Sequence, residues 1–184
     1  MRCVLSCIGL LLCAQANADL IDLSFNSDAL RLQYAHEFRS NSMNLDAGVL
    51  YNSDAGDVLH VGFYVAGLAS SGSNPVTAGV GARLVYSNGD LSNQDGFAVP
   101  IGGFVRYSPR KANRIAIDGQ VYFAPSVLSL GDADKYEEGT IRFSYNVIHA
   151  ADIYIGARYI KGEYDNAPSA RYDTGMHIGV TVRF

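Results

Sequence analysis

The sequence predicts an all-β fold, an antiparallel transmembrane β-barrel of about ten strands, and three observations support this prediction. Apolar residues recur with a period of two along almost the whole chain after residue 18, which is the side-chain period of a strand. The polar positions of these segments are rich in Arg, Gly and small residues and poor in Lys. The chain also begins with an export leader and ends on an aromatic residue, Phe184.

Length and charge exclude several other classes of protein. A chain of 184 residues suits a single domain. Charged residues make up only 17% of it and the net charge is −4, which argues against a general nucleic-acid binder and against a disordered tail. After the leader, no apolar stretch approaches the roughly 18 residues of a helical membrane span.

Residues 1–18 have the features of a secretory signal peptide. Arg2 supplies the positive start, an apolar run follows, and Ala16 and Ala18 form an A-x-A cleavage site around Asn17. The predicted domain organisation is therefore a signal peptide, 1–18, and a barrel domain, 19–184. All three cysteines fall within the leader: Cys3, Cys7 and Cys13.

The strands follow one another in order, separated by clusters of Gly, Asn, Asp, Ser and Pro that break strands. In the second segment, for example, Leu30 and Leu32 alternate with Arg31 and Gln33, so the two sets point to opposite faces. The same alternation predicts ten segments in all: 20–26, 29–38, 43–51, 58–68, 76–87, 96–107, 113–123, 138–147, 152–162 and 173–184.

The identity of the polar face indicates which face is inside. After residue 18 the chain has ten Arg and only three Lys, and Arg is the residue that suits buried, bidentate ion pairs. We therefore expect the polar face to line the lumen and the apolar face to contact lipid; a soluble periplasmic barrel is the alternative. The predicted lumen ion-pair network comprises Asp22, Arg31, Glu37, Asp46, Arg83, Arg106, Asp118, Arg142 and Arg158.

The connections also have a predicted sidedness. With both termini in the periplasm, an even number of strands places segments 52–57, 88–95, 124–137 and 163–172 outside. The turns 39–42, 69–75, 108–112 and 148–151, most of them shorter, then face the periplasm. Eight strands are the alternative count, because segment 20–26 is shorter than the roughly 9–11 residues of a full crossing.

The C-terminal segment carries a pattern of its own. His177, Gly179, Val182 and Phe184 have the polar, glycine, hydrophobic and terminal-aromatic spacing that resembles the assembly signal of outer-membrane barrels. Together with the leader, this pattern predicts a protein that is exported and inserted into the outer membrane.

Two stretches of the chain resemble the YfaZ family of outer-membrane proteins. They are residues 22–34, DLSFNSDALRLQY, and residues 123–134, FAPSVLSLGDAD, and the Arg183-Phe184 terminus fits the same family. The resemblance spans essentially the whole chain after the leader. It implies a Gram-negative outer-membrane barrel and supplies no catalytic residues.

Few residue patterns suggest catalysis or metal binding. The histidines His36, His60, His149 and His177 lack zinc-ligand spacing, and no cofactor motif is present. Asp54, Asp57 and His60 form a conceivable acid–base cluster at the outer rim, with a solvated loop as the alternative. The acidic set Asp132, Asp134, Glu137 and Glu138 is predicted to be a loop that is solvated, binds Ca²⁺ or bridges lipopolysaccharide through divalent ions.

The expected function is a structural or surface-interaction barrel, not an enzyme, with a lumen that side chains plug or leave very narrow. A narrow porin-like channel for small solutes is the alternative, and an outer-membrane hydrolase is a third reading. We expect a monomer without cofactor or metal. Its expected partners are outer-membrane lipid, lipopolysaccharide and the outer-membrane assembly machinery, and not nucleic acid.

Overall fold

The computed structural model describes residues 19–38, 42–70, 74–89, 94–165 and 167–184. In these ranges the chain forms strands and two short 3-10 turns, Arg110–Ala112 and Ser126–Leu128. No helix among the described residues is long and apolar enough to cross a membrane. The predicted signal peptide, with its cleavage site at Ala16 and Ala18, lies outside the described residues and stays a prediction.

The described residues form twelve strands, and every pairing between them is antiparallel. They are β1 Asp19–Phe25, β2 Ala29–Phe38, β3 Met43–Asn52, β4 Gly56–Ser70, β5 Val76–Gly89, β6 Gln94–Ala98, β7 Ile101–Tyr107, β8 Ile115–Ala124, β9 Ser129–Gly131, β10 Ala133–Ile148, β11 Ala151–Tyr164 and β12 Ala167–Arg183.

Ten of these strands close a barrel. Each pairs with its neighbours in the order β1, β2, β3, β4, β5, β7, β8, β10, β11 and β12, and β12 pairs back onto β1. The two additional strands lie at one end, where β6 pairs with β5 and β9 pairs with β6. The predicted ten-stranded antiparallel barrel is therefore confirmed, and the eight-stranded alternative is not formed.

Pro100 explains why one predicted strand is divided. The sequence predicts a continuous strand over 96–107, whereas the structure separates β6 from β7 at Val99 and Pro100. Proline has no N–H to donate across the sheet. The Pro100 carbonyl still accepts from the Arg83 N–H at 3.0 Å, and the Val99 N–H is turned to the Leu128 carbonyl at 2.7 Å.

The two ends of the barrel differ. Asp19 and Phe184 exchange backbone hydrogen bonds of 2.9 and 3.0 Å, so both described termini lie at one end, which we call the terminal end. At the other end, the far end, the predicted connections 124–137 and 163–172 are largely strand instead. There β10 begins at Ala133, β11 continues to Tyr164 and β12 begins at Ala167.

The reason for the longer strands is a change in the polarity of the alternation. Over most of each strand, apolar residues point outward. Beyond Glu138 on β10 the inward residues are apolar, as at Ala133 and Tyr136, and the outward ones, Lys135 and Glu137, are charged. Side chains still alternate between the two faces, but here the apolar ones point inward and the charged ones outward. A strand predicted from outward apolar residues therefore ends too early.

The outer wall and the lumen have opposite compositions. Large apolar side chains are exposed on the wall, with Val80 71% exposed, Val121 66% and Ile101 59%. Charged side chains such as Asp46 and Arg83 are buried in the lumen. This arrangement is the reverse of that in a soluble β-barrel, where the apolar face is inside.

Candidate functional site in the barrel lumen

The lumen is the candidate site, because it gathers most of the buried charges of the described chain. Four of these side chains form a central charge layer, which we define as Arg31, Asp46, Arg83 and Glu138. Arg83 bridges Asp46 at 2.8 Å and Glu138 at 3.2 Å, and Arg31 contacts Glu138 at 3.0 Å. All four are buried, so each charge depends on its partners rather than on water.

Neutral groups complete the hydrogen bonding of the central charge layer. The Tyr136 hydroxyl donates to Glu138 Oε2 at 3.2 Å, and Gln120 Nε2 donates to Glu138 Oε1 at 3.0 Å. The Arg83 guanidinium lies 4.1 Å from the centre of the Tyr122 ring, a cation–π contact. His60 Nε2 lies 3.2 Å from Asp46 Oδ2 at the same level.

A glycine on β4 makes room for the Arg83–Asp46 pair. A Cβ atom on Gly62 would lie 2.5 Å from Arg83 Cγ, 2.8 Å from Asp46 Oδ1 and 2.9 Å from the Ala82 carbonyl oxygen. Gly62 is paired with Asp46 on one side and with Arg83 on the other. Because Gly62 has no side chain, the charged groups of Asp46 on β3 and Arg83 on β5 can meet across β4.

A second buried ion pair lies on β11 and β12. Arg158 Nε donates to Asp173 Oδ2 at 2.5 Å, and Arg158 Nη1 donates to Ser24 Oγ at 3.0 Å. Asn26 Nδ2 also donates to Asp173 Oδ1 at 2.8 Å. This pair ties the first hairpin of the chain to its last two strands.

Nearer the terminal end, the ion pairs are more open. Arg142 contacts Asp22 at 3.3 Å and Arg106 contacts Asp118 at 3.0 Å, and both arginines are partly exposed. Asp152 joins two arginines, Arg106 at 3.2 Å and Arg183 at 2.5 Å. Asp22 is further held by the Tyr154 and Thr181 hydroxyls, which donate at 2.7 and 2.6 Å.

The structure brings most of the predicted network into contact but leaves one member apart. Among the predicted residues, Asp22 meets Arg142, Asp46 meets Arg83, and Asp118 meets Arg106. Arg31 and Arg158 pair with carboxylates outside the predicted set. Glu37 is exposed near the terminal end and makes no ion pair with any described residue.

The predicted network omits four lumen charges, Glu138, Asp152, Asp173 and Arg183. The placement of Glu138 in an acidic loop is wrong, because β10 includes it and turns it inward; its shared parity with Arg142 was an available indication. Asp173 follows a register shift between β11 and β12, where Tyr172 and Asp173 are both buried. Asp173 shares the odd-numbered parity of the buried His177 and Thr181, so alternation indicates it, whereas the bulge hides the inward position of Tyr172.

The far end of the lumen is filled by apolar and aromatic side chains, which we call the far-end cluster. Tyr164 is central to it, since its hydroxyl meets Ser87 Oγ at 2.8 Å and also contacts the Tyr172 hydroxyl. The other buried members are small or aliphatic, apart from Tyr136. The cluster comprises Ala29, Leu50, Ala55, Val58, Val85, Ala98, Ala124, Ala133, Tyr136, Ile160, Tyr164, Ala170 and Tyr172.

On the terminal side of the central charge layer lies a cavity of about 530 Å³, the terminal-side cavity. Its lining combines the amides of Gln33 and Gln120 with the partly exposed Arg142. Tyr64 and Phe104 also line it and pack edge to face, with ring centres 5.4 Å apart. Buried apolar and aromatic side chains thus lie at the far end, and the terminal-side cavity lies in the other half of the lumen.

The conceivable acid–base cluster is not assembled. His60 points into the lumen, whereas Asp57 occupies an outward position of β4 and Asp54 lies in the exposed turn before that strand. In the described part of the chain, no group of three or more His, Cys, Asp or Glu side chains is placed to hold a metal ion.

Comparison with known proteins identifies a family and some distant structural likenesses. The YfaZ family model, described as YfaZ precursor, matches residues 1–184. A comparison with curated protein sequences gives no match.

Three solved structures of outer-membrane porins or channels are distantly similar. A KdgM porin in complex with disordered oligogalacturonate has a TM-score of 0.46 and 10% identity, covering 91% of this chain and 99% of that chain. A second KdgM porin structure has a TM-score of 0.46, 11% identity and the same coverage. The outer-membrane channel DcaP of Acinetobacter baumannii has a TM-score of 0.40 and 13% identity, covering 89% of this chain and 54% of that chain.

Proposed function

The chain belongs to the YfaZ family, and we propose that it is an integral outer-membrane β-barrel with a structural or surface-interaction role and a closed lumen. The observation that carries this proposal is the reversed distribution of side chains: exposed apolar residues cover the wall and paired charges fill the interior. Lipid is the solvent that favours such a wall.

The two ends of the barrel then have defined surroundings. The terminal end faces the periplasm, and the far end projects from the outer leaflet. On β10, the exposed Ile141 gives way to the charged Glu137 and Lys135 toward the far end, which marks the level at which the wall leaves the lipid. Beyond this level the strands have apolar side chains inside and charged ones outside, which is the distribution of a soluble barrel.

Export and assembly follow from the two termini of the sequence. We propose that residues 1–18 are removed after Ala18 and that the pattern His177, Gly179, Val182 and Phe184 is read by the outer-membrane assembly machinery. In the barrel, Val182 and Phe184 are exposed on the wall and His177 is buried. The inserted protein is a monomer that contacts lipid and lipopolysaccharide, and it requires no cofactor.

A closed lumen is favoured by two successive barriers. The far-end cluster fills the interior at one level, and the central charge layer crosses it at the next with ion pairs of 2.8–3.2 Å. In a small barrel, side chains can fill the interior at such levels. Solutes that enter the terminal-side cavity are therefore stopped by the central charge layer.

Planar-bilayer recording tests the closed lumen. We expect purified protein that inserts into the bilayer to give no stable conductance steps. Steady steps that shrink when Arg106, Arg142 and Arg183 are changed to Gln would contradict the closed lumen and establish a channel lined by these arginines.

A narrow channel is the second candidate, and the terminal-side cavity is the observation that favours it. Its volume of about 530 Å³ and its partly exposed arginines are suited to admit small anionic solutes from the periplasmic side. For conduction, the far-end cluster and the central charge layer would both have to move aside. The same recordings distinguish the two candidates.

A further inference from the structure

A cluster of unpaired positive charge lies at the terminal end, in the turn between β7 and β8. We define the terminal basic turn as residues 108–114, which include Arg110, Lys111 and Arg114 and no acidic residue. All three side chains are exposed. Within the described ranges none of them makes an ion pair, whereas the half-exposed lumen arginines Arg106 and Arg142 each contact a carboxylate.

A groove separates this turn from the end of β10. Its volume is about 400 Å³, and its lining combines positive, amide and apolar side chains. The turn supplies Asn113 and Arg114, and the facing segment supplies Asn146, Val147, Ile148 and His149. The Arg114 carbonyl accepts a 2.7 Å hydrogen bond from the Asn146 N–H, which holds the two sides of the groove together.

The wall beside the groove is apolar. Tyr145 and Val147 point outward at the end of β10 and are 42% and 46% exposed, and Ile148, at the lip of the groove, is 61% exposed. A molecule that fits the groove and this wall has an anionic head and hydrocarbon tails. An amphiphile of that kind satisfies both the unpaired cations and the exposed apolar surface.

The far end has the opposite charge. Its exposed or partly exposed carboxylates outnumber its cations, and two of those cations, Lys135 and Lys161, contact Glu163 at 3.2 and 2.6 Å. The phosphates of outer-leaflet glycolipids would therefore meet a predominantly acidic rim. The described carboxylates at the far end include Asp28, Asp54, Asp57, Asp95, Asp132, Asp134, Glu137, Glu163 and Asp165.

We propose that the terminal basic turn and its groove bind the phosphate headgroup of an anionic phospholipid in the periplasmic leaflet. Arg110, Lys111 and Arg114 contact the phosphate, and the acyl chains lie along Tyr145 and Val147. This inference rests on the proposed function, since it requires the barrel to span the outer membrane with its terminal end in the periplasm. Such a contact also fixes the depth of the barrel in the bilayer.

Lipid retention in nanodiscs tests the site. The barrel is reconstituted in phosphatidylethanolamine with a minor fraction of phosphatidylglycerol, and the phospholipids that remain bound are counted by native mass spectrometry. The test variant carries Arg110→Gln, Lys111→Gln and Arg114→Gln. The matched control carries Lys135→Gln, Lys161→Gln and Arg171→Gln, which remove the same charge from the far end.

We expect the wild type and the far-end control to retain phosphatidylglycerol in preference to phosphatidylethanolamine. The preference should fall by roughly fivefold for each cation removed from the terminal basic turn. An unchanged preference in the test variant, or an equal loss in the control, overturns the headgroup site. In a parallel sample with added lipid A, displacement of phosphatidylglycerol from the wild type by lipid A also overturns the assignment to a phospholipid.

Insertion separates this inference from the proposed function. A wild-type protein that enters the nanodisc and shows no preference between the two phospholipids contradicts the headgroup site alone. A protein that stays outside the nanodisc contradicts both the membrane barrel and the site that depends on it.

Discussion

Individual residues in the lumen are constrained by charge more than by shape. Glu138 is buried between two arginines, and Arg83 is buried between two carboxylates. Removing one member of such a set leaves an uncompensated charge away from water, which costs far more than removing an exposed ion pair. Neighbouring residues on one strand should therefore respond very differently to the same substitution.

Glu138→Ala and Glu137→Ala are such a pair. We expect Glu138→Ala to lower the free energy of unfolding by about 3–5 kcal/mol, because Arg31 and Arg83 lose their shared carboxylate. Glu137 faces outward and makes no ion pair with a described residue, so Glu137→Ala should change stability by less than about 1 kcal/mol. Urea titrations of folded protein in lipid vesicles measure both, and equal losses would contradict the central charge layer.

Gly62 and Gly119 give a second comparison. A Cβ atom at Gly62 would lie 2.5 Å from Arg83 Cγ, whereas one at Gly119 meets nothing within 4 Å. Gly62→Val should therefore cost about 1–3 kcal/mol through overpacking, and Gly119→Val much less. The heat-modifiable shift on a gel gives the melting temperature of each variant, and a Gly62→Val barrel as stable as the wild type would be the contrary result.

The residues of the lumen were predictable in so far as they follow alternation. On their strands, Asp22, Asp46 and Arg83 alternate with outward apolar residues. A charged residue at such an alternate position is predicted to face the lumen. Tyr172 was not predictable as an inward residue, because a bulge shifts the parity of β12 between Arg171 and Asp173. The pairing partners also depend on barrel closure, which brings Arg31 of β2 to Glu138 of β10 and which no local pattern encodes.

The strands were predictable through the membrane-level part of the barrel and less so beyond it. The predicted segment 29–38 agrees with β2, and the start of segment 76–87 agrees with β5, because outward apolar residues alternate with polar ones. Beyond the apolar wall, charged side chains point outward and apolar ones inward. The strands β10, β11 and β12 were therefore predicted too short. The break at Pro100 was indicated by the proline itself.

A substitution on the wall tests the environment of one strand. Val80 lies near the middle of the outward row of β5 and is 71% exposed. Val80→Arg should destabilise the folded barrel by about 2–4 kcal/mol, because it places a charge at the centre of the lipid. Val127 is 87% exposed in the Ser126–Leu128 turn at the far end, outside the strands, and Val127→Arg should cost much less.

Folding of these two variants into vesicles, followed by urea titration, gives the comparison. Equal stabilities for Val80→Arg and Val127→Arg would show that water, not lipid, surrounds the middle of β5.

The whole molecule is polarised along its axis. Its terminal end has the terminal basic turn and the terminal-side cavity, and its far end has an acidic rim and the far-end cluster. A chain of this length reaches such an arrangement by closing ten strands without a disulfide, since residues 19–184 contain no cysteine. Ion pairs across the lumen, rather than covalent bonds, connect distant strands.

Because residues 19–184 contain no cysteine, single cysteines placed in the barrel can test whether its apolar wall faces lipid. Spin labels are attached to single cysteines at adjacent positions of β8, Gln120→Cys facing the terminal-side cavity and Val121→Cys facing outward. The same is done on β5 with Thr77→Cys and Ala78→Cys. In vesicles, collision with oxygen reports lipid and collision with a water-soluble nickel chelate reports water.

We expect the labels at residues 121 and 78 to collide mainly with oxygen, and those at residues 120 and 77 to collide more with the nickel chelate. If the outward labels are as accessible to the nickel chelate as the inward ones, the apolar wall does not face lipid and the membrane barrel is contradicted.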